Sequence, residues 1–383
     1  MHHHNSVSHG VLKHVPWREF DRLVAEHGAD HRVRRLTTRS QFVAMLYGQL
    51  AGAVSLREVV TGLQSQAARL YHLGARPAQR STLADANATR PNAVFGGLFA
   101  HMVRQAQRGL RRKIAETTYL IDATSIRLSA LHADGAGLCN GTYGLKLHVI
   151  HDPDSDRPVY AAFSAANVND ITIAQQMPVE PGATYVFDLG YYDFGWWARL
   201  DQAGCRIVTR FKSNTPFAVV AELPVKRASA ILSDRIGHLP QRQARSRTNP
   251  FQDPVREVRV KTATGKVLRI LCNDLDASAE EIAELYKRRW AIELFFRWVK
   301  QTLRITRFFG TSENAVRSQI IIALIAYLLL RMAHAAQRSV QSPLAFARLV
   351  RINLMHRRSL NALLSPDQPM TISQRQLALV LHG

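Results

Sequence analysis

Two apolar segments that end in aspartate limit what this chain can fold into more than any other feature. Tyr119, Leu120 and Ile121 run into Asp122, and Tyr185, Val186 and Phe187 run into Asp188. Short runs of this composition read as buried strands. An aspartate closing a buried strand is costly unless it is paired, hydrogen-bonded or on a metal. The surrounding sequence completes a pattern. Thr117–Leu128, Leu145–Ile150 and Val159–Phe163 read as strands, and Asn169 or Asp170 caps a short helix, Ile171–Met177. Thr184–Phe187 reads as a strand, Trp196–Ala203 as an aromatic helix and Arg206–Phe211 as a strand. This order predicts a mixed α/β sheet. One such aspartate alone would more often be an acid hydrogen-bonded to loop amides. Two of them on two strands of one sheet shift the reading toward function.

Residues 1 to about 115 read as helical. Pro16–His27, Arg39–Ala51 and Leu56–Leu73 carry apolar residues at helical spacing, with Gly28, Gly52 and Gly74 as stop signals. Pro16 suits the first turn of its helix. Arg76–Pro91 places Arg76, Arg80 and Arg90 around Ser81–Asn87. It admits two readings: the reading helix of a helix-turn-helix, or a solvated linker before a helix Asn92–Arg108. Downstream, Val255–Lys261 and Lys266–Cys272 flank Thr262–Gly265 as a β-hairpin, and the basic, polar stretch Gln241–Asn249 reads as a mobile loop. Ser278 and Glu281 form a capping box for a helix that continues to about Arg304. The expected organisation is an α/β, multidomain α+β chain. It has a helical domain over 1–115, a core split into 116–211 and 276–337, a β-rich insertion over 212–275 and a helical region over 338–383.

Charge narrows the partner. The chain has 50 Lys and Arg against 29 Asp and Glu, a net charge of +21. Basic surface binds polyanions by displacing counterions, so nucleic acid is the first candidate. An anionic membrane would need an anchor. The longest apolar run, Ile320–Leu330, is shorter than the roughly 20 residues that span a bilayer and reads as a buried core helix. The N-terminus lacks a signal-peptide layout, and the His2–His4 run is weak as a metal site. Cys139, Cys205 and Cys272 follow no metal-ligand spacing and read as reduced thiols of a cytoplasmic protein.

The segment Leu285–Arg304 carries the densest chemistry. At about 100° per residue, with Tyr286 at zero, Arg289 falls near 300°, Lys300 near 320° and Glu293 near 340°. They share one stripe roughly 60° wide and about 21 Å long, with Arg297 and Arg304 at its edge. Leu285, Ile292, Phe295, Val299 and Leu303 form a separate apolar arc that would dock the helix on the sheet, and Trp290 lies beside the polar stripe. Surface ion pairs at i,i+4 explain Arg289–Glu293 and Glu293–Arg297 taken alone. The excess of cations on one narrow stripe instead suits a phosphodiester backbone beside a metal-binding carboxylate. In-line phosphodiester chemistry needs both the entering and the leaving oxygen stabilised, which two divalent cations do. Mg²⁺ takes hard oxygen ligands and keeps several waters, so a few carboxylates suffice.

These residues resemble a known family. Tyr286, Arg289, Glu293 and Lys300 match the Y-x2-R-x3-E-x6-K signature of insertion-sequence-four transposases, bacterial DDE enzymes with a ribonuclease-H-like core. YLIDAT around Asp122 and YVFDLGYYD around Asp188 look like the family's two aspartate strands. A β insertion before the glutamate is also family-like. VPWREFDRLVAEHG and QFVAMLYGQLAGAVSLREV look like its N-terminal DNA-binding region. The resemblance implies Asp122, Asp188 and Glu293 as the catalytic, metal-binding triad for Mg²⁺, with Mn²⁺ a substitute. It implies Tyr286, Arg289, Lys300, Arg297 and Arg304 as DNA contacts, and Trp290 as a platform for a displaced base. The implied reaction is cut-and-paste transposition: nicking at the element ends, a hairpin intermediate, then attack of the freed 3′-OH on target DNA. The implied partners are double-stranded DNA, as terminal inverted repeats and target, and a second copy of the chain on DNA. Leu189 departs from the basic residue many relatives carry after the second aspartate.

Two other classes compete: a DNA-binding repressor without chemistry, and a ribonuclease-H-like nuclease that cuts and does not join. Other carboxylates rank lower. Asp193, Asp274 and Asp276 sit in expected turns, where aspartate serves local hydrogen bonds. Alternation sets His148 on one strand face and places His151 beyond the strand, so with Asp152 they make no ligand pair.

Overall fold

The computed structural model of the chain describes residues 6–108, 116–127, 137–139, 142–226, 229–242, 248–305 and 307–364. The N-terminal helices are α1 (Val7–Leu12), α2 (Trp17–Glu26), α3 (Thr38–Ala51), α4 (Leu56–Gln64), α5 (Ala67–Leu70), α6 (Arg80–Thr89) and α7 (Ala93–Arg108). Thr37 caps α3 by accepting from the Ser40 amide, and Gly52 ends it in the left-handed region at φ 70°. The single helix expected over Leu56–Leu73 is broken. The Ser65 hydroxyl donates to the Gly62 carbonyl, and the Gln66 amide bonds Leu63 at i−3. Short polar side chains that bond the local backbone stop helices in this way.

Arg76–Pro91 is no linker, because α6 occupies most of it. Leu83, Ala86 and Asn87 are buried, Asn87 accepts from the Gln41 side-chain amide at 2.9 Å, and the Arg90 guanidinium turns inward to Gln41 and the Leu36 carbonyl.

The sheet is built from β1 (Thr118–Arg127), β2 (Gly137–Cys139), β3 (Thr142–Asp152), β4 (Arg157–Ala165), then α8 (Asp170–Ala174), β5 (Thr184–Phe187), α9 (Phe194–Gln202) and β6 (Arg206–Arg210). β4, β3 and β1 are antiparallel neighbours, and β1, β5 and β6 are parallel. This is the mixed sheet expected from the strand order, and it agrees with the ribonuclease-H-like core that the family resemblance implies. The rest of the sheet was only half legible. β9 (Val255–Lys261) and β10 (Val267–Cys272) match the expected hairpin, but β7 (Ala218–Leu223) and β8 (Ile231–His238) were missed. β10 pairs antiparallel with β6, so residues 212–275 extend the central sheet as β6-β10-β9-β8-β7 and are not a separate layer. Gly237 in β8 is required by close approach: a Cβ there would lie 2.2 Å from the Ala218 carbonyl oxygen. Of the expected mobile loop Gln241–Asn249, residues 243–247 lie outside the described residues. Its end is fixed, with Asn249 buried and bonded to the Pro240 carbonyl.

Two apolar layers flank the sheet. On one face Tyr185, Phe187, Ile207 and Leu271 pack with Trp197 and Leu200 of α9. On the other, Leu120, Val149, Val186 and Val208 face α10 (Ala279–Arg288), α11 (Trp290–Thr302) and α12 (Glu313–Ala335). α13 (Pro343–Asn353) follows. Every residue of Ile320–Leu330 in α12 is buried, as expected of a core helix. α12 is long and apolar enough to cross a membrane, but 83% of its apolar window is covered by protein. It packs against α3, α6, α7 and α13, so the N-terminal helices and the C-terminal region share one apolar core with the sheet. Cys205 and Cys272 are buried and unpaired, and the Cys139 side chain lies outside the described residues.

Candidate active site

Strand register brings the two aspartates together. β1 and β5 run parallel with Tyr119 beside Tyr185 and Leu120 beside Val186. Asp122, still within β1, and Asp188, the residue just after β5, each lie two residues further on. Parallel neighbours are about 4.8 Å apart. Side chains alternate along a strand, so both aspartates share the face of Leu120 and Val186, toward α10 and α11.

The glutamate arrives from across that face, on a helix that differs from the expected one. Leu285–Arg304 is not one straight helix. α10 ends at Arg288, α11 begins at Trp290, and Arg289 forms the joint through i−3 bonds from its amide to Tyr286 and from Ile292 to its carbonyl. The joint leaves the apolar arc intact, with Leu285, Ile292, Phe295, Val299 and Leu303 all buried. It aims the Arg289 guanidinium at Glu293, 2.6 Å from Nη2 to Oε1. The far end is a correction. α11 stops at Thr302, Arg304 takes a positive φ of 51°, and its guanidinium bonds the Gly52 carbonyl at 2.7 Å. Arg304 therefore leaves the stripe and ties α11 to the end of α3.

Electrostatics show what surrounds Asp122. Its carboxyl is pushed up to about 7, first by burial, with the charges of Asp188 and Glu293 adding and Arg289 and the Ala123 amide opposing. Burial also lowers the Lys300 pKa, against the pull of Asp122. Burial works against the charge of Arg289, but Tyr286, Glu293 and Asp122 hold its pKa above the usual value. Tyr286 is buried beneath this group, with the Arg289 guanidinium 5.7 Å from its ring centroid. Asp188 accepts from the Gly190 amide at 2.8 Å. Trp290 and Arg297 stand outside the acid cluster on the exposed side of α11, with the guanidinium 5.8 Å from the indole centroid.

Several neighbours of the acids escaped the sequence reading. Tyr191 is buried with its hydroxyl unpaired. Burial first, then Asp122, Asp170 and Asp188, raises its pKa well above the usual value. Asp170 is held by Lys146 at 2.9 Å, and a Cβ on Gly190 would lie 3.1 Å from Asp188 Oδ1 and 3.3 Å from Asp170 Oδ2. Arg210, at the end of β6, acts on the Tyr286 hydroxyl. A tyrosine three residues past an aspartate carries no sequence signal for this role. The lower-ranked acids behave as expected: Asp193 caps α9 through the Trp196 amide, and Asp274 accepts from the Asp276 and Ala277 amides. β3 extends to Asp152, so His151 lies within the strand and not past it. It stacks on Phe295, while His148 bonds Ser164 at 2.7 Å.

The donor set fits a hard divalent cation. The acids are partly buried, Asp188 and Glu293 add to the proton affinity of Asp122, and an unpaired hydroxyl lies among them. Among the described residues no three carboxylate, histidine or cysteine groups are already gathered as a cage, and Glu293 is held by Arg289. Mg²⁺ needs only one or two protein carboxylates beside its waters.

A stability prediction follows from Asp122. Its folded pKa, about 7, lies above the unattached value of 3.8. Between these pH values the folded chain holds a proton that the unfolded chain has released, so Asp122 costs stability as pH rises through this window. Asp122→Asn removes that cost. In EDTA, the Tm advantage of the variant over wild type should widen from pH 4 to pH 7 and then level off. An advantage independent of pH would show that Asp122 keeps an ordinary carboxyl.

The chain matches the transposase DDE domain over residues 114–329, and a domain of unknown function over residues 3–76. It belongs to the DDE transposase family and is an enzyme of DNA transposition. It is 42% identical over 301 residues to the transposase-named protein y4zB of Sinorhizobium fredii, across 78% of this chain and 83% of that one. It is 29% identical over 266 residues to the transposase-named product of insertion sequence element IS5377 of Geobacillus stearothermophilus, across 68% and 69% of the two chains. Among solved structures, a cryo-EM piggyBac transposase synaptic complex with hairpin DNA aligns with 97% of this chain and 82% of that one. The TM-score is 0.46 and the identity 12%, too slight to carry an argument.

Proposed function

We propose that this transposase acts on double-stranded DNA at element ends through Asp122, Asp188 and Glu293, cutting the phosphodiester and joining the freed 3′-OH to target DNA. The observation that carries this reading is the parallel pairing of Leu120 with Val186, two residues before Asp122 and Asp188, together with the charges of Asp188 and Glu293 acting on Asp122. The three carboxylates would hold Mg²⁺, or Mn²⁺ in its place, as a pair of ions that polarise the phosphate and lower the pKa of the attacking water or 3′-OH. The protein's own side chains do the rest. Arg289 orients Glu293, and the Gly190 amide orients Asp188. Lys300 sets a positive charge beside Asp122, where a phosphate oxygen would sit. Tyr286 and Arg289 line the approach of the DNA strand. Trp290, 49% exposed, offers a stacking face for a displaced base. The helical domain over 1–115, with α6 as its candidate reading helix, would hold the element end. A second copy would hold the other end, in the bacterial cytoplasm.

The test is incubation of the protein with Mg²⁺ and duplexes made from the DNA flanking its coding sequence. Cleavage at inverted repeats followed by joined products is expected. Binding without cleavage would assign a repressor, and cleavage without joining a nuclease.

A further inference from the structure

Beside the reaction centre, the outer face of α11 meets α13 in a cleft of about 430 Å³. Leu294, Trp298 and Leu344 form its apolar floor, and Arg297, Arg348 and Arg351 line it without any carboxylate. Arg351 in the cleft and Arg304 outside it are committed to helix ends. Arg351 donates to the Thr302 carbonyl, at the end of α11, and to the Leu50 carbonyl at 3.4 Å, while Arg304 donates to Gly52. Helix C-termini carry partial negative charge, so both guanidinia are well placed there. Arg297 and Arg348 remain exposed, and among the described residues neither has a carboxylate partner. Burial first, then the charges of Arg304 and Arg348, lowers the Arg351 pKa. The cluster is thus a set of like charges that repel one another and lack an anion.

Its position suggests which anion. On α11, Arg297 lies about 40° round from Glu293, and Gln301, which also lines the cleft, about 40° further. From Glu293 to Gln301 the helix rises about 12 Å. Duplex DNA presents one phosphate per strand about every 3.4 Å along its axis. A duplex whose reacting phosphodiester lies at Asp122 and Asp188 would reach this cleft within about four base pairs.

We propose that the α11–α13 cleft is a second phosphodiester-binding site, in which Arg297 and Arg348 hold the backbone of duplex DNA beside the reacting bond. It rests on the reading that this chain acts on duplex DNA. It adds a contact from α13, outside the residues matched to the DDE domain. The apolar floor suits deoxyribose, and no base edge is read there, so the contact is independent of sequence.

Binding of the full chain to a fluorescein-labelled random-sequence duplex, measured by anisotropy across salt concentrations, tests it. Arg348→Glu and Arg297→Glu should each reduce the slope of log K against log salt by about 1, and together by about 2. Arg348→Lys should keep the wild-type slope. Lys266→Glu, with the same charge change in the exposed β9–β10 turn, should also keep it. An unchanged slope for Arg348→Glu would overturn the inference, as would an equal loss for Lys266→Glu, which would make the effect one of net charge. Absence of salt-dependent binding by the wild type would instead overturn the DNA reading itself, and the inference with it.

Discussion

Asp188→Ala is expected to abolish DNA cleavage, a loss on the order of 10²–10³ or more, while leaving DNA binding intact. Asp122→Ala and Glu293→Ala should do the same. The reason is geometric. Asp122 within β1 and Asp188 just past the end of β5 each lie two residues beyond the paired Leu120 and Val186, and the charge of Asp188 raises the Asp122 pKa. Replacing either leaves one oxygen donor set where in-line phosphoryl chemistry needs a shared one. Asp193→Ala, five positions along the same loop, is the control. That carboxylate caps α9 through the Trp196 amide, and loss of a cap costs about 1 kcal/mol of stability and no chemistry. Single-turnover cleavage alongside gel-shift binding separates the outcomes. Near-normal cleavage by any one of the three alanine variants removes that residue from the triad.

The second large effect is on folding. Asp234→Ala should destabilise the protein by about 3–5 kcal/mol, because it strands a buried arginine. Asp234 in β8 accepts from Arg256 in β9 through both oxygens, at 2.7 and 2.5 Å, and both side chains are buried. Arg256 also donates to the Leu275 and Ala277 carbonyls, just before the Ser278 cap of α10. The pair therefore fastens the outer sheet to the turn that launches the helices carrying Tyr286, Arg289 and Glu293. Urea unfolding should show a lower midpoint for Asp234→Ala. Reduced cleavage should appear only where the variant is partly unfolded. A midpoint within about 0.5 kcal/mol of wild type would show that Arg256 finds other partners or solvent.

Strong local patterns were readable before the structure. Thr184–Phe187 is a strand to the residue, since a β-branched threonine and three apolar residues with no turn signal inside them leave little choice. The Ser278 cap forms as its spacing requires, accepting from the Glu281 amide, while the Glu281 carboxylate is taken by Arg206. The buried arc of α10 and α11 follows helical periodicity even across the joint at Arg289. What escaped depends on partners far along the chain. β8 reads ILSDRIGH, with no clean alternation, because its buried Asp234 and half-buried Arg235 pair with Arg256 and Glu257 of β9. β7 is largely exposed and shows no buried face to read. The pairing of β10 with β6 is invisible locally, so the place of the β insertion along the edge of the central sheet could not be read. Within the site, both aspartates and the glutamate were visible as types at sites that call for explanation. The joint at Arg289, the departure of Arg304 and the unpaired Tyr191 hydroxyl depend on tertiary packing.

The most direct test is a crystal of the protein soaked in Mn²⁺, examined by anomalous diffraction. Peaks are expected with ligand distances of about 2.1 Å to oxygens of both Asp122 and Asp188, and with Glu293 released from Arg289 to bind one ion. Peaks held by Asp170, Asp193 or Asp274, with Asp122 and Asp188 bare, would contradict the assignment of the triad.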